Sequence, residues 1–170
     1  MHKTQCAISS GRWICPNTRV GIIAFSDKST IVASLTNNEK GCIRAIRSIT
    51  CGQTGGGNAT HPFNTIMDML QGKDGRLFAI VLADGVWSNQ HIAVEAAHRC
   101  NVARIETAAI GFGGADKKFL KDISSEDANA MFVSQSELIN AFGTIAQSLG
   151  GGTSKSGTDG IVSDAETWDD

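Results

Sequence analysis

Residues 79–89, Ala-Ile-Val-Leu-Ala-Asp-Gly-Val-Trp-Ser-Asn, run through an apolar stretch and stop on one carboxylate, Asp84, followed by Gly85. A lone Asp in such a place can bind a hard divalent cation. It can also act as a base or nucleophile, or cap the turn and helix that follow. Mg²⁺ takes about six oxygens, one or two of them from carboxylates. Asp84 therefore needs hydroxyl or amide partners, and the segment TGGGNAT (54–60) and Ser88 are where the sequence offers them.

Other chemistry finds less support. QTGGGNATHP (53–62) has the glycines that let backbone amides approach an anion, but not the GxxxxGK[ST] spacing, and no Lys follows. A turn with several positive φ angles explains the same glycines. GFGGAD (111–116) follows a strand pattern but is not GxGxxG. His91 and His98 stand two helical turns apart with no acidic set converging on them, and with His61 they read as surface or helix-edge residues. No GxSxG motif and no paired-carboxylate signature occurs. An enzymatic reading, an α/β hydrolase or phosphotransfer enzyme using Asp84, rests on that residue alone and stands as the alternative.

The elements that must position Asp84 follow from hydrophobic periodicity. VGIIAF (20–25) and TIVASL (30–35) read as a hairpin, and RLFAIVLA (76–83), ARIETAAIGF (103–112) and AMFV (130–133) as further strands. Helices are expected over 3–14, 37–49 (capped by Asn37 or Asn38), from Pro62 with Phe63, Ile66, Met67 and Leu70 as its stripe, and over 89–100 with Ile92, Ala96 and Ala93 inward. Two more are expected over 116–123 and 134–149, the last opened by a capping box of Ser134 and Glu137. Apolar runs alternating with helices give an α/β fold, a mostly parallel sheet with helices on both faces. Ligands on such sheets bind at the carboxyl ends of strands, and Asp84 is at one.

The chain has 170 residues, 41% of them apolar and 19% charged, which suits one soluble domain over 1–150. Residues 151–170, rich in Gly, Ser and Asp, read as a flexible acidic tail. A net charge of −2 gives no electrostatic case for nucleic acid or an anionic membrane. No apolar run approaches the roughly 20 residues of a bilayer span. Five cysteines without a CxxC pair, and an N-terminus without a signal-peptide core, point to reduced thiols and a cytoplasmic location.

RVGIIAFS (19–26), GGGN (55–58), AIVLADGVWSN (79–89), ARIETAAIGFG (103–113), FLKDIS (119–124) and SELINAFGTIAQSL (136–149), in this order, resemble a von Willebrand factor A domain, with the flavour of short bacterial intracellular members. The resemblance implies a Rossmann-like sheet and a non-enzymatic protein-binding role through a metal-ion-dependent adhesion site holding Mg²⁺ or Mn²⁺. On that resemblance Asp84 is the acid of the site's last loop, and Asn58 or Thr60 takes the middle-loop position. The ligand face would lie on loops 26–29, 52–61, 84–90 and 112–116, with Ser26, Gly57, Gly85, Trp87 and Ser88. Trp87 would serve either as an exposed contact or as packing over the sheet's end. The family's central first strand and its DxSxS motif find no match upstream of VGIIAF. Their loss implies a degenerate site that binds metal weakly or not at all. It also leaves two strand edges facing a gap, a route to self-association. Three expectations follow: a fragment or a start placed too late, a strand supplied by a partner or the tail, or neighbouring strands closing up.

Overall fold

The computed structural model describes residues 17–57 and 60–150. The expected helix over 3–14, the acidic tail and Asn58 lie outside the described residues. Five strands and five helices follow in the order β1 (Val20–Phe25), β2 (Ser29–Thr36), α1 (Glu39–Arg47), α2 (Phe63–Leu70), β3 (Leu77–Ala83), α3 (Gln90–Val102), β4 (Ile105–Gly111), α4 (Lys117–Ile123), β5 (Ala130–Phe132) and α5 (Leu138–Gly150).

β3, β4 and β5 form a parallel sheet with β4 in the middle, Leu77 opposite Ile105 and Ala109 opposite Ala130. Alternation along β4 sends its side chains to two cores. Ile105 and Ala109 join Phe63, Ala93, Ala97, Cys100, Phe119 and Leu120 from α2, α3 and α4. Ala108 and Ile110 face Ala141 and Ile145 of α5. Both faces of the sheet are thus covered, as a parallel sheet requires.

β1 and β2 pair antiparallel, in a register irregular near Ile22. Among the described residues this hairpin is a separate two-stranded sheet, and β1 does not pair with β3. The neighbouring strands have therefore not closed up. Aromatic packing joins the two sheets at one end: the Phe25 ring, at the end of β1, lies 5.1 Å from that of Trp87, just past β3. β1 and β3 consequently run in the same sense.

Local signals explain the helix ends. The Asn38 side chain accepts from the Gly41 amide to cap α1, and Asp116 accepts from Phe119 to cap α4. The Ser134–Glu137 capping box is formed, though it opens a single 3₁₀ turn that leads into α5. One expectation about packing needs correction. Ile92 is 48% exposed, and α3 buries Ala93, Ala96, Ala97 and Cys100 instead, because a helix of small residues packs closest along its smallest face. In α1 only Cys42 is buried, while Ile43 and Ile46 are exposed.

Candidate functional site

The loops after β1 and β3, the loop after β4, and the glycine-rich loop before α2 meet at one rim of the fold, tied by hydrogen bonds. Asp27, after β1, is the clasp. Its Oδ2 accepts from the backbone amides of Gly56 and Gly57, both at 3.0 Å, and its own amide donates to the Thr54 carbonyl at 3.1 Å. The space beside Asp27 requires glycine: a Cβ on Gly55 or Gly57 would collide with this carboxylate, and Gly55 also has φ +109°. Ser26 Oγ donates to the Gly57 carbonyl. The Thr60 amide donates to Ser26 O at 2.9 Å, and its hydroxyl to Asp27 O at 2.7 Å.

The glycine-rich loop then reaches the loop after β3. His61 Nε2 lies 2.7 Å from the Ser88 carbonyl, which can only accept, so Nε2 carries the proton. The imidazole stacks on Trp87, with centroids 5.5 Å apart and planes 10° from parallel. The Asp84 carbonyl accepts from Gly114 at 3.2 Å, which brings in the loop after β4. Gly113 makes that approach with φ +62°, where a Cβ would lie 3.2 Å from the same carbonyl.

The Asp84 side chain is exposed and makes no hydrogen bond to another described residue. Gly85 beside it has open space where a side chain would be. Ser88 is exposed, Ser26 and Thr60 half-buried. Trp87 is 7% exposed and packs beneath the rim against Phe25, Phe63 and Phe119, the arrangement of the packing alternative. Sequence reasoning missed Asp27 and the role of His61. An Asp in a turn and a distant glycine run carry no spacing that links them.

Chemically, the rim presents Asp84, an exposed carboxylate with no hydrogen bond to another described residue, and several hydroxyls. Asp27 Oδ2 is engaged by two amides and His61 Nε2 by the Ser88 carbonyl, with the imidazole stacked on Trp87. Thr60 is tied to Ser26 and Asp27, and Asp84 O to Gly114, so both lie on loops of the rim, while Mg²⁺ takes roughly six oxygens. Among the described residues no group of three or more His, Cys, Asp or Glu comes together. These residues do not by themselves fit a complete cation shell.

A parallel α/β sheet with its loops gathered at the strand carboxyl ends defines a Rossmann-like binding fold. The chain belongs to the von Willebrand factor type A domain family, whose family model matches residues 8–147. Similar folds occur in proximal thread matrix protein 1 from the mussel byssus (TM-score 0.67, 17% identity, 76% of this chain and 36% of that one). They occur also in the conserved hypothetical protein BatB from Bacteroides thetaiotaomicron (TM-score 0.65, 17% identity, 79% of each chain). A third is manganese-loaded TRAP from Plasmodium vivax (TM-score 0.60, 16% identity, 79% of this chain and 60% of that one). The mussel protein has also been solved with zinc in its MIDAS motif. This chain spans about a third of the mussel protein. No curated protein matches the sequence.

Among the described residues, no helix is long and apolar enough to cross a membrane.

Proposed function

We propose that this domain is a non-enzymatic protein-binding module. Its rim, formed by residues 26–28, 54–57, 60–61, 84–88 and 112–116, is the contact surface, with Asp84 at its centre. The observation that carries this reading is the joining of these loops by hydrogen bonds into one surface that bears Asp84, an exposed carboxylate with no hydrogen bond to another described residue. A rim fixed in this way loses little conformational freedom on binding. Asp84, with Thr60 and Asn58 as further donors, serves as a reduced version of the family's metal site. A cation held there takes its remaining oxygens from water or from a partner's carboxylate. A mussel byssus protein of similar fold solved with zinc in its MIDAS motif, and a Plasmodium vivax protein of similar fold loaded with manganese, support a metal-assisted role. The exposed free thiol of Cys51 suits a reducing compartment and supports a cytoplasmic location.

Isothermal titration with Mn²⁺ and with Mg²⁺ tests the metal part. The expected result is millimolar or weaker binding that disappears in Asp84→Ala, and micromolar affinity for the wild type would overturn it. Hydrolysis of generic phosphate or ester substrates that is lost in Asp84→Ala would favour the enzymatic alternative.

A further inference from the structure

The reactivity of Asp84 depends on its neighbour as much as on its place in the fold. Gly85 follows it directly, so no Cβ shields the peptide nitrogen next to the Asp84 carboxyl group. Gly85 has open space where a side chain would be, and among the described residues its amide donates no hydrogen bond. The carboxylate is exposed and likewise has no hydrogen bond to another described residue. Both residues lie in a bend past the end of β3 and before α3, so no ladder or helical bond fixes their backbone. The peptide between them is held by one contact, from the Gly114 amide to the Asp84 carbonyl, at 3.2 Å, the long end of the hydrogen-bond range.

We propose that Asp84 and Gly85 form a spontaneous modification site, at which Asp84 converts to isoaspartate through a cyclic imide. The Gly85 nitrogen attacks Cγ of Asp84. A C–N bond forms, the nitrogen gives up its proton, and a carboxyl oxygen leaves as water. The succinimide then takes up one water. Opening at Cγ regenerates aspartate, and opening at the former main-chain carbonyl gives isoaspartate. Nothing is oxidised or reduced, and the product is an isomer with one oxygen drawn from solvent.

The other aspartates show why the bend after β3 is the place for it. Asp27, Asp68, Asp116, Asp122 and Asp127 each precede a residue that has a side chain. Asp27 is also held by the Gly56 and Gly57 amides, Asp116 by the Phe119 amide and Asp122 by Lys118. Among the described residues Asp74 alone shares the pattern: it is exposed, and Gly75 follows it with open space at its Cβ position. It precedes β3, away from the rim, and serves as an internal reference.

The product differs from aspartate where the rim depends on it. Cβ and Cγ enter the main chain, which lengthens by a single atom between β3 and Trp87. The carbonyl carbon whose oxygen accepts from Gly114 becomes the new carboxylate, and the original side-chain carboxylate is lost. Trp87, seated against Phe25, Phe63 and Phe119, is then reached by a longer tether. This is a statement about the covalent fate of Asp84, and it holds whether or not a cation or a partner binds there.

The test is ageing of the full chain in heavy-oxygen water at neutral pH. Proteolysis in ordinary water and electron-transfer fragmentation, which tells isoaspartate from aspartate, follow. The expected result is isoaspartate at Asp84 carrying a heavy oxygen, formed within about tenfold of its rate in a free peptide of residues 79–89, as a locally open bend allows. Gly85→Ala, which the open space at that position accommodates, should slow the reaction at Asp84 severalfold and leave that at Asp74 unchanged. An intact Asp84 beside an isomerised Asp74 would overturn the proposal. So would a rate at Asp84 outside that margin, or one undiminished in Gly85→Ala.

Discussion

Truncating Trp87 separates a structural residue from a binding contact. Its side chain is 7% exposed and touches the rings of Phe25, His61, Phe63 and Phe119, so it bridges the hairpin, the glycine-rich loop, α2 and α4. A buried Trp removes about 150–250 Å² from water. At about 25 cal/mol per Å² this corresponds to roughly 4–6 kcal/mol, of which alanine recovers a part. Large-to-small aromatic substitutions in cores cost about 3–5 kcal/mol, and Trp87→Ala should fall in that range. Against a typical domain stability of about 5–15 kcal/mol and a urea m-value of about 1–3 kcal/mol/M, the midpoint should drop by 1 M or more. Far-UV circular dichroism is the proper probe, since the substitution removes a fluorophore. Trp87→Phe keeps much of the ring packing and should lie between the two. An unchanged midpoint and m-value in Trp87→Ala would refute the reasoning and return Trp87 to the role of a surface contact.

Asp27→Ala should free the glycine-rich loop, with exchange of the Gly56 and Gly57 amides about fivefold faster or more, equivalent to roughly 1 kcal/mol of local opening; unchanged exchange would deny the clasp. Arg76 grips both Glu106 oxygens, at 2.8 and 2.6 Å, and this hydrogen bonding holds the Glu106 carboxyl below its ordinary range. A lowered carboxylate contributes stability above its unfolded pKa and loses it as pH falls through the folded one. With side chains 50% and 39% exposed, Glu106→Gln should cost under about 1 kcal/mol at neutral pH, and urea titrations should show the difference fading below about pH 4. Burial pushes the Cys100 thiol up to about 11, so iodoacetamide at mildly alkaline pH should label exposed Cys51 and spare Cys100, as read by peptide mass mapping.

What the sequence made legible was local or periodic. The strand runs, the helix over 116–123, a cap at Asn37 or Asn38 (Asn38 being the one formed), the Ser134–Glu137 box and the place of Asp84 at a strand end all follow from neighbours within a few residues. Ile92 misled because α3 has little amphipathic pattern: four small residues form its inner face, and the larger side chain beside them turns outward. The clasp of Asp27 on Gly56 and Gly57 spans about thirty positions and has no motif. The position of Trp87 followed from no pattern either, since an aromatic after a strand end serves equally as lid or as contact.

The same contacts explain how the fold holds its rim together without a hydrogen-bonded link between its two sheets. β1 and β3 share no backbone bonds among the described residues, so nothing in a hydrogen-bonded sheet fixes their spacing. Near their carboxyl ends that task falls to side chains and loops: Phe25 against Trp87, Trp87 against Phe119, and His61 across to Ser88. The rim is pre-organised by these contacts and can present Asp84 in a fixed place. Loss of Trp87 would remove this bridge and should loosen the rim before it disturbs β4, whose pairing on both sides and two covered faces do not depend on it.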